Sequence, residues 1–520
     1  MMRLPASFEK YLFLLACIAC ALPVWIPHFP PMVDLPQHAA QVALLLNLGK
    51  PDFAFTDLFQ LNLFTPYLLG YGLIAVFTPL LGIVAACKLI IWLALAGFAI
   101  STRWLLREAE ADPYWAWLVF PVLYGFTYQW GLLIFLIAAP IGMIFLALVW
   151  RTKAQPTLRS SWLILLMLIA LFFSHALILG FFSLIAVAYW LFATRRLRGF
   201  IQCAWPMAAI APLVLIWFAV ASKHPLSNFP IGWDLSWFAT EDYYYSTIAT
   251  WANPDNPGWG RINGFIPRLL GVRPQLFFTL LGIFIFVLPF LSGGRISKSR
   301  VRLIPLLLIT LVLLLVPTLL FGNMYTFQRF TFLAMPLYLI MFDRPVNTGG
   351  TQYSLRLFAP LIAFSWIAYM SVHALQFNKD MQGFDAILAK AAPGKRALSL
   401  DFVRDDSNSI APEFLHFPAW YAALKAGVAD PSFAVTFVQP VSYKPEQIPV
   451  AKFEGFEWNP QWFDWKKFEG DKYDYFIARA PKDMGGYLFR SAPCKIELAA
   501  HAGEWWLYRK DQNCQSTPVL

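Results

Sequence analysis

Asp34 stands in the run Pro30-Pro31-Met32-Val33-Asp34-Leu35-Pro36-Gln37-His38, directly after the first apolar stretch of the chain. A carboxylate at the edge of a hydrophobic span is costly to place there unless it is used or paired. Two roles compete for it. Asp34 with Gln37 three residues on, and Pro36 in the first turn, forms a capping box for an amphipathic helix over 35–48. Ser, Thr or Asn would cap as well, whereas a carboxylate can also take a proton from a hydroxyl as it attacks, with His38 one turn away to orient it or bind substrate. Arg329 lies at the end of a late apolar stretch, where it reads as an anion-gripping guanidinium or as a snorkelling anchor. Lys88, near the start of another apolar run, is a second cation whose plainer role is interfacial. His175 interrupts the apolar stretch 161–193, either marking a turn or facing a cavity.

The loop 222–274 mixes rings with charges: Trp233, Asp234, Trp237, Glu241, Asp242, Tyr243, Tyr245, Trp251, Trp259, Arg261, Arg268 and Arg273. Such a mixture suits a sugar, whose CH faces pack on rings while its hydroxyls bond to charged groups. An interfacial belt of Trp and Tyr is the other account. Glu241 and Asp242 are the reserve carboxylates should Asp34 be only a cap.

These groups need elements to hold them. Hydrophobic residues make up 59% of the 520 and charged residues 13%, about half the share usual in soluble domains. Mean hydropathy is +0.56. The composition demands an integral membrane protein and excludes a disordered chain, a coiled coil and a soluble nucleic-acid binder. Apolar stretches near the roughly 20-residue spanning length fall at 11–27 and around 84–102, 114–128, 132–150, 160–174, 176–193, 200–221, 275–292, 303–321, 329–342 and 357–374, which makes about eleven transmembrane helices. The box Leu14-Leu15-Ala16-Cys17 resembles a lipoprotein cleavage site, but hydrophobicity runs on past it, and the segment reads as an uncleaved first helix. Arg103/Arg107, Arg151/Lys153/Arg159, Arg195/Arg196/Arg198, Arg295/Lys298/Arg300/Arg302 and Arg344/Arg356 all fall on the side of the N-terminus, which the positive-inside rule makes cytoplasmic. That parity requires one true span within 63–101, from about residue 84, with 53–82 at or partly in the outer interface.

Residues 376–520 differ in kind, holding 17 Lys+Arg and 18 Asp+Glu. The expected organisation is a bundle over 1–375, with outer loops 28–83 and 222–274, and a small extracytoplasmic α/β domain over 376–520. Strands are expected at 396–402, 473–479 and 505–509, and helices at 384–390 and 418–425. Cys494 and Cys514 are the only cysteines of this domain, and an outside location permits a disulfide between them, a free pair being the alternative. Cys17, Cys20, Cys87 and Cys203 are too scattered for a metal site. No Walker or dinucleotide glycine motif is present, so no nucleotide sugar is expected as direct donor.

An acidic residue in the first outer loop of a polytopic bundle with an outward C-terminal domain resembles the GT-C superfamily of polyprenyl-phosphate-sugar-dependent glycosyltransferases. The resemblance rests on the layout, on Asp34-Leu35-Pro36-Gln37-His38, on Phe64-Thr65-Pro66-Tyr67 leading to Lys88, and on Gln328-Arg329-Phe330. Many members carry a second acid beside the first or two positions away; here Leu35 and Pro36 occupy those places. The resemblance implies an inverting transfer of a sugar from a polyprenyl-phosphate donor to a glycan, lipid or protein acceptor, on the outer face of a bacterial inner membrane. Asp34 would be the base, Arg329 and then Lys88 would meet the leaving phosphate, and Gln37, His38, His175, Glu241 and Asp242 would bind substrate. No dedicated metal site is expected from ligand spacing; a divalent ion is the one cofactor the family admits. A transporter or lipid-handling protein, or a degenerate GT-C-like assembly factor, would share the same bundle.

Overall fold

The computed structural model describes residues 6–194, 196–222, 260–318, 320, 324–344, 350–404 and 409–511. Six helices among them are long and apolar enough to cross a membrane: Ser7–Trp25, Ile83–Glu108, Leu133–Arg151, Ala176–Ala193, Leu197–Ala221 and Gly350–Asp380. Leu68–Leu81, Leu158–Ser174 and Leu276–Leu291 are shorter apolar helices. The protein is a mostly helical, multi-pass type of membrane chain with a mixed α/β sheet toward its C-terminus. The described residues fall into two compact units, 6–26 with 89–374 and 27–88 with 375–511.

In the first unit, Leu133–Arg151 packs against Leu158–Ser174 and Ala176–Ala193, while Thr326–Leu339, buried along its whole length, packs against Ile304–Leu315. A helix apolar all round is buried either by protein or by lipid. Thr326–Leu339 takes the first course; Leu197–Ala221 takes the second, with Leu215 68% exposed. Close approach uses a small residue: Gly142 meets the Phe182 ring, which a Cβ would crowd to 2.6 Å. The span expected at 114–128 is not a long helix. Pro113–Val122 forms a 3-10 helix and Phe126–Gln129 a single turn, because Pro113, Pro121 and Gly125 break the α-helical ladder. The apolar residues are there, but they serve as buried core. Among the described residues, the stretch expected at 303–321 is α-helical over the 12 residues Ile304–Leu315, about 18 Å at 1.5 Å per residue, too short to span alone.

Lys153, Arg302, Arg344 and Arg356, from three of the basic clusters, come together in this unit. They meet on Glu110-Ala111-Asp112: Lys153 pairs with Glu110 at 2.6 Å, Arg344 Nε donates to the Ala111 carbonyl at 3.1 Å, and Arg356 pairs with Asp112 at 2.8 Å. Arg302 pairs with Asp343, whose residue bridges Ala111. Arg103 grips Glu9 with both terminal nitrogens, at 2.8 and 2.6 Å.

The second unit joins the first loop to the C-terminal segment. Seven strands occur in chain order: β1 (Phe59–Leu61), β2 (Arg396–Asp401), β3 (Val428–Asp430), β4 (Val441–Tyr443), β5 (Tyr475–Arg479), β6 (Ile496–Ala502) and β7 (Trp505–Lys510). The main sheet runs β3-β2-β5-β7-β6, parallel among the first three and antiparallel beyond. β1 pairs antiparallel with β4 in the register Phe59↔Tyr443 and Leu61↔Val441. The strands expected in the tail are present, as are the helices Phe384–Lys390 and Trp420–Lys425. One face of the sheet buries Leu398, Leu400, Phe476 and Ala478 under Phe463, Trp465 and Phe468. A second cluster is mixed in origin: Leu44, Phe53 and Phe59 of the first loop pack with Val428, Val441 and Tyr443 of the tail. Each such side chain contributes about 1.5–3 kcal/mol by leaving water. The first loop therefore belongs structurally with residues 375–511. Between Leu68–Leu81 and Ile83–Glu108 the helix is broken at Gly82, whose φ of +78° suits glycine alone.

Candidate functional site

Asp34 precedes the helix Leu35–Asn47, but its side chain makes no cap hydrogen bond. Its Oδ1 instead meets His416 Nδ1 at 2.9 Å, with the two side chains only 13% and 9% exposed. The capping-box expectation fails for Gln37 as well. Gln37 Nε2 donates to the Pro431 carbonyl at 2.6 Å and its Oε1 accepts from the Phe433 amide at 3.1 Å. The carboxylate of Asp34 and the side-chain amide of Gln37 are thus both turned to tail residues. Helix Trp420–Lys425 packs along Leu35–Asn47 and so holds His416, at the turn just before it, over Asp34.

His38 is in the same neighbourhood. Tyr71 Oη has one proton, which it donates to Gln439 Oε1 at 2.6 Å, so the 2.7 Å contact of His38 Nδ1 with that oxygen has the imidazole as donor. The Phe433 ring stands edge-on to both imidazoles, 5.3 Å from His38 and 6.0 Å from His416. Glu457 extends the cluster. Burial raises its carboxyl above the usual range, against backbone hydrogen bonds and the charges of His416 and Arg404, which lower it.

The loops that carry these groups leave the C-terminal ends of the parallel strands: the segment holding His416 follows β2, and Pro431 and Phe433 follow β3. That edge is where open α/β sheets ordinarily place their functional residues. It also carries Asp401 and Arg479, paired in register at the ends of β2 and β5. Asp401 is fully buried, with Ser399 Oγ on one oxygen at 3.2 Å and no partner on the other. Burial drives its carboxyl well above the ordinary value, outweighing Ser399 and the charges of Arg479 and Arg404.

Lys88, in this unit too, donates to the Pro27 carbonyl at 2.6 Å and thereby ties the start of the first loop. It is not among the contacts of Asp34. His28, exposed, pairs with Asp385 at 3.0 Å.

Arg329 and His175 belong to the first unit and touch each other, Nη1 to Nε2 at 3.4 Å. Arg329 also donates to the carbonyls of Met324, at 2.5 Å, and Tyr325, at 3.3 Å. His175 caps Ala176–Ala193 by accepting the Leu177 amide at Nδ1, 3.2 Å away. A neutral imidazole has one acceptor nitrogen, so His175 accepts from only one of the Leu177 amide and the Arg329 guanidinium. Two further buried guanidiniums, Arg261 and Arg268, lie 3.8 and 5.2 Å from the Phe327 ring centre. Three arginines thus crowd the first turn of Thr326–Leu339.

Glu241 and Asp242 lie outside the described residues, as does Cys514; Cys494 is disulfide-bonded, whereas Cys17, Cys20, Cys87 and Cys203 are free thiols. Among the described residues, no group of three His, Cys, Asp or Glu is placed to hold a metal ion. Sequence reasoning missed His416 and Glu457. No local pattern marks either residue: His416 lies 382 positions from Asp34. No family model and no curated protein matches the chain.

Proposed function

We propose that the protein transfers a sugar from a polyprenyl-phosphate donor to a hydroxyl-bearing envelope acceptor on the outer face of a bacterial inner membrane. The observation that carries this reading is the Asp34–His416 pair: the carboxylate is not spent on its helix but is oriented by an imidazole at 2.9 Å. Asp34 takes the proton of the acceptor hydroxyl, the oxygen attacks the anomeric carbon, and the bond from that carbon to the phosphate oxygen breaks with inversion, the phosphate keeping the electron pair. His416 fixes the carboxylate and stabilises whichever charge state the transfer leaves. In the helical unit, Arg329 Nη1 and His175 Nε2 stand 3.4 Å apart. A phosphate oxygen would accept from the Arg329 guanidinium, and Arg261 and Arg268, against the nearby Phe327 ring, add positive charge.

The test is sugar transfer from synthetic polyprenyl-phosphate sugars by the purified protein in lipid. Asp34→Asn should cut turnover by about 100-fold or more while leaving the protein membrane-embedded. Arg329→Lys keeps the charge but loses the fork, and should act chiefly on KM for the donor. Unchanged transfer by Asp34→Asn would remove Asp34 as the base. Donor binding with no transfer across a broad panel would instead make the chain a lipid-handling protein.

A further inference from the structure

Trp458 and Trp462, just after Glu457, and Tyr487, in the short helix Gly485–Leu488, are exposed rings. Trp458 is 37% exposed, Trp462 50% and Tyr487 41%. Polar contacts join the segments that carry them. Tyr487 Oη donates to the Gln461 carbonyl at 3.2 Å, Gln461 Nε2 donates to Asn459 Oδ1 at 2.9 Å, and Asn459 Nδ2 donates to the Gly455 carbonyl at 2.9 Å. The Trp462 ring lies over Gly455, 3.5 Å from where a Cβ would stand. Guanidiniums brace two of the rings: Arg404 is 5.4 Å from the Trp458 ring centre and Arg490 is 4.8 Å from that of Tyr487. Arg404 also donates to the Trp458 carbonyl.

Rigid, exposed rings interleaved with planar amides are what a pyranose requires. The rings offer flat apolar area to its CH faces, and Asn459, Gln461 and the guanidiniums offer hydrogen bonds to its hydroxyls. A lipid-facing anchor would be ringed by aliphatic residues; this one is flanked by Asp464, Lys466, Lys467 and Arg490. The platform also adjoins the candidate centre, since Glu457, immediately before Trp458, feels the charge of His416. We propose that Trp458, Trp462 and Tyr487 form a carbohydrate-binding surface that takes an oligosaccharide of several units. If the transfer reading holds, that oligosaccharide is the acceptor; the binding itself does not depend on it.

The test uses the full chain in lipid nanodiscs, titrated with chitohexaose, cellohexaose and hexagalacturonate. At least one should bind saturably. Trp458→Ala and Trp462→Ala should each weaken it by about tenfold, the equivalent of a stacking contact of about 1.4 kcal/mol. Trp458→Phe and Trp462→Phe should weaken it less, which separates lost stacking from lost folding. Saturable binding by a protein that transfers no sugar would sink the transfer reading and leave this surface standing, so the two failures give different results. Absence of binding by all three sugars, or binding that survives removal of both tryptophans, overturns the proposal. So does a fluorophore on Trp462→Cys that reports a lipid environment.

Discussion

Asp34 and Asp401 show two fates for an acid withdrawn from water. Asp34 finds an imidazole partner, His416 Nδ1 at 2.9 Å. Asp401 finds one hydroxyl, and burial raises its carboxyl well above the ordinary value. The folded state therefore favours the protonated form of Asp401. The stability it contributes is complete below the unfolded value, about 3.9 for an aspartate, and is lost as pH rises through the elevated folded value. Melting of the full chain in detergent should show Asp401→Asn gaining on the parent protein as pH goes from 4.5 to 8. Parallel curves for the two proteins would refute this. Asp34 could be read from the sequence because a lone carboxylate after an apolar span is conspicuous. His416 could not, since its importance comes from a partner 382 positions away, and no local pattern encodes that.

Hydrophobic runs located most of the long helices, because the length needed to cross a bilayer is written in composition alone. They misplaced the element at 114–128, where apolar content agrees with a span but the prolines and Gly125 forbid one. Gly125 has a positive reason to be glycine. A Cβ there would stand 2.5 Å from the Leu269 carbonyl oxygen and 2.8 Å from that of Arg268, both of them backbone atoms that cannot swing aside. Gly125→Ala should therefore lower the stability of the helical unit by about 1–3 kcal/mol, read as a drop in Tm in detergent. An unchanged Tm would mean that the Phe126–Gln129 turn is free to move off Phe265–Leu270. The tail strands β5 and β7 were legible from their aromatic-rich runs. The β1 to β4 pairing was not, for three residues are too few to announce a strand.

For the molecule as a whole, Lys153, Arg302, Arg344 and Arg356 converge on Glu110-Ala111-Asp112 and its bridge partner Asp343, so these four share one end of the helical unit. Their positive charge predicts that this end is cytoplasmic. The free thiols at Cys17, Cys20, Cys87 and Cys203 are buried, so introduced cysteines can report sidedness. In intact cells a membrane-impermeant maleimide should label Lys482→Cys and spare Lys298→Cys until the membrane is opened. The reverse pattern would invert the topology and remove the outer-face assignment of Asp34.

The antiparallel match of Phe59–Leu61 with Val441–Tyr443 also has a consequence in time. At about 5–20 residues per second, the ribosome needs roughly 20–80 s after making one strand before it makes the other. Throughout that interval Leu44, Phe53 and Phe59 await the partners that will cover them. A nonsense mutation anywhere before Val441 would leave that wait without end, so early truncations should be cleared by quality control even where every membrane helix has been inserted.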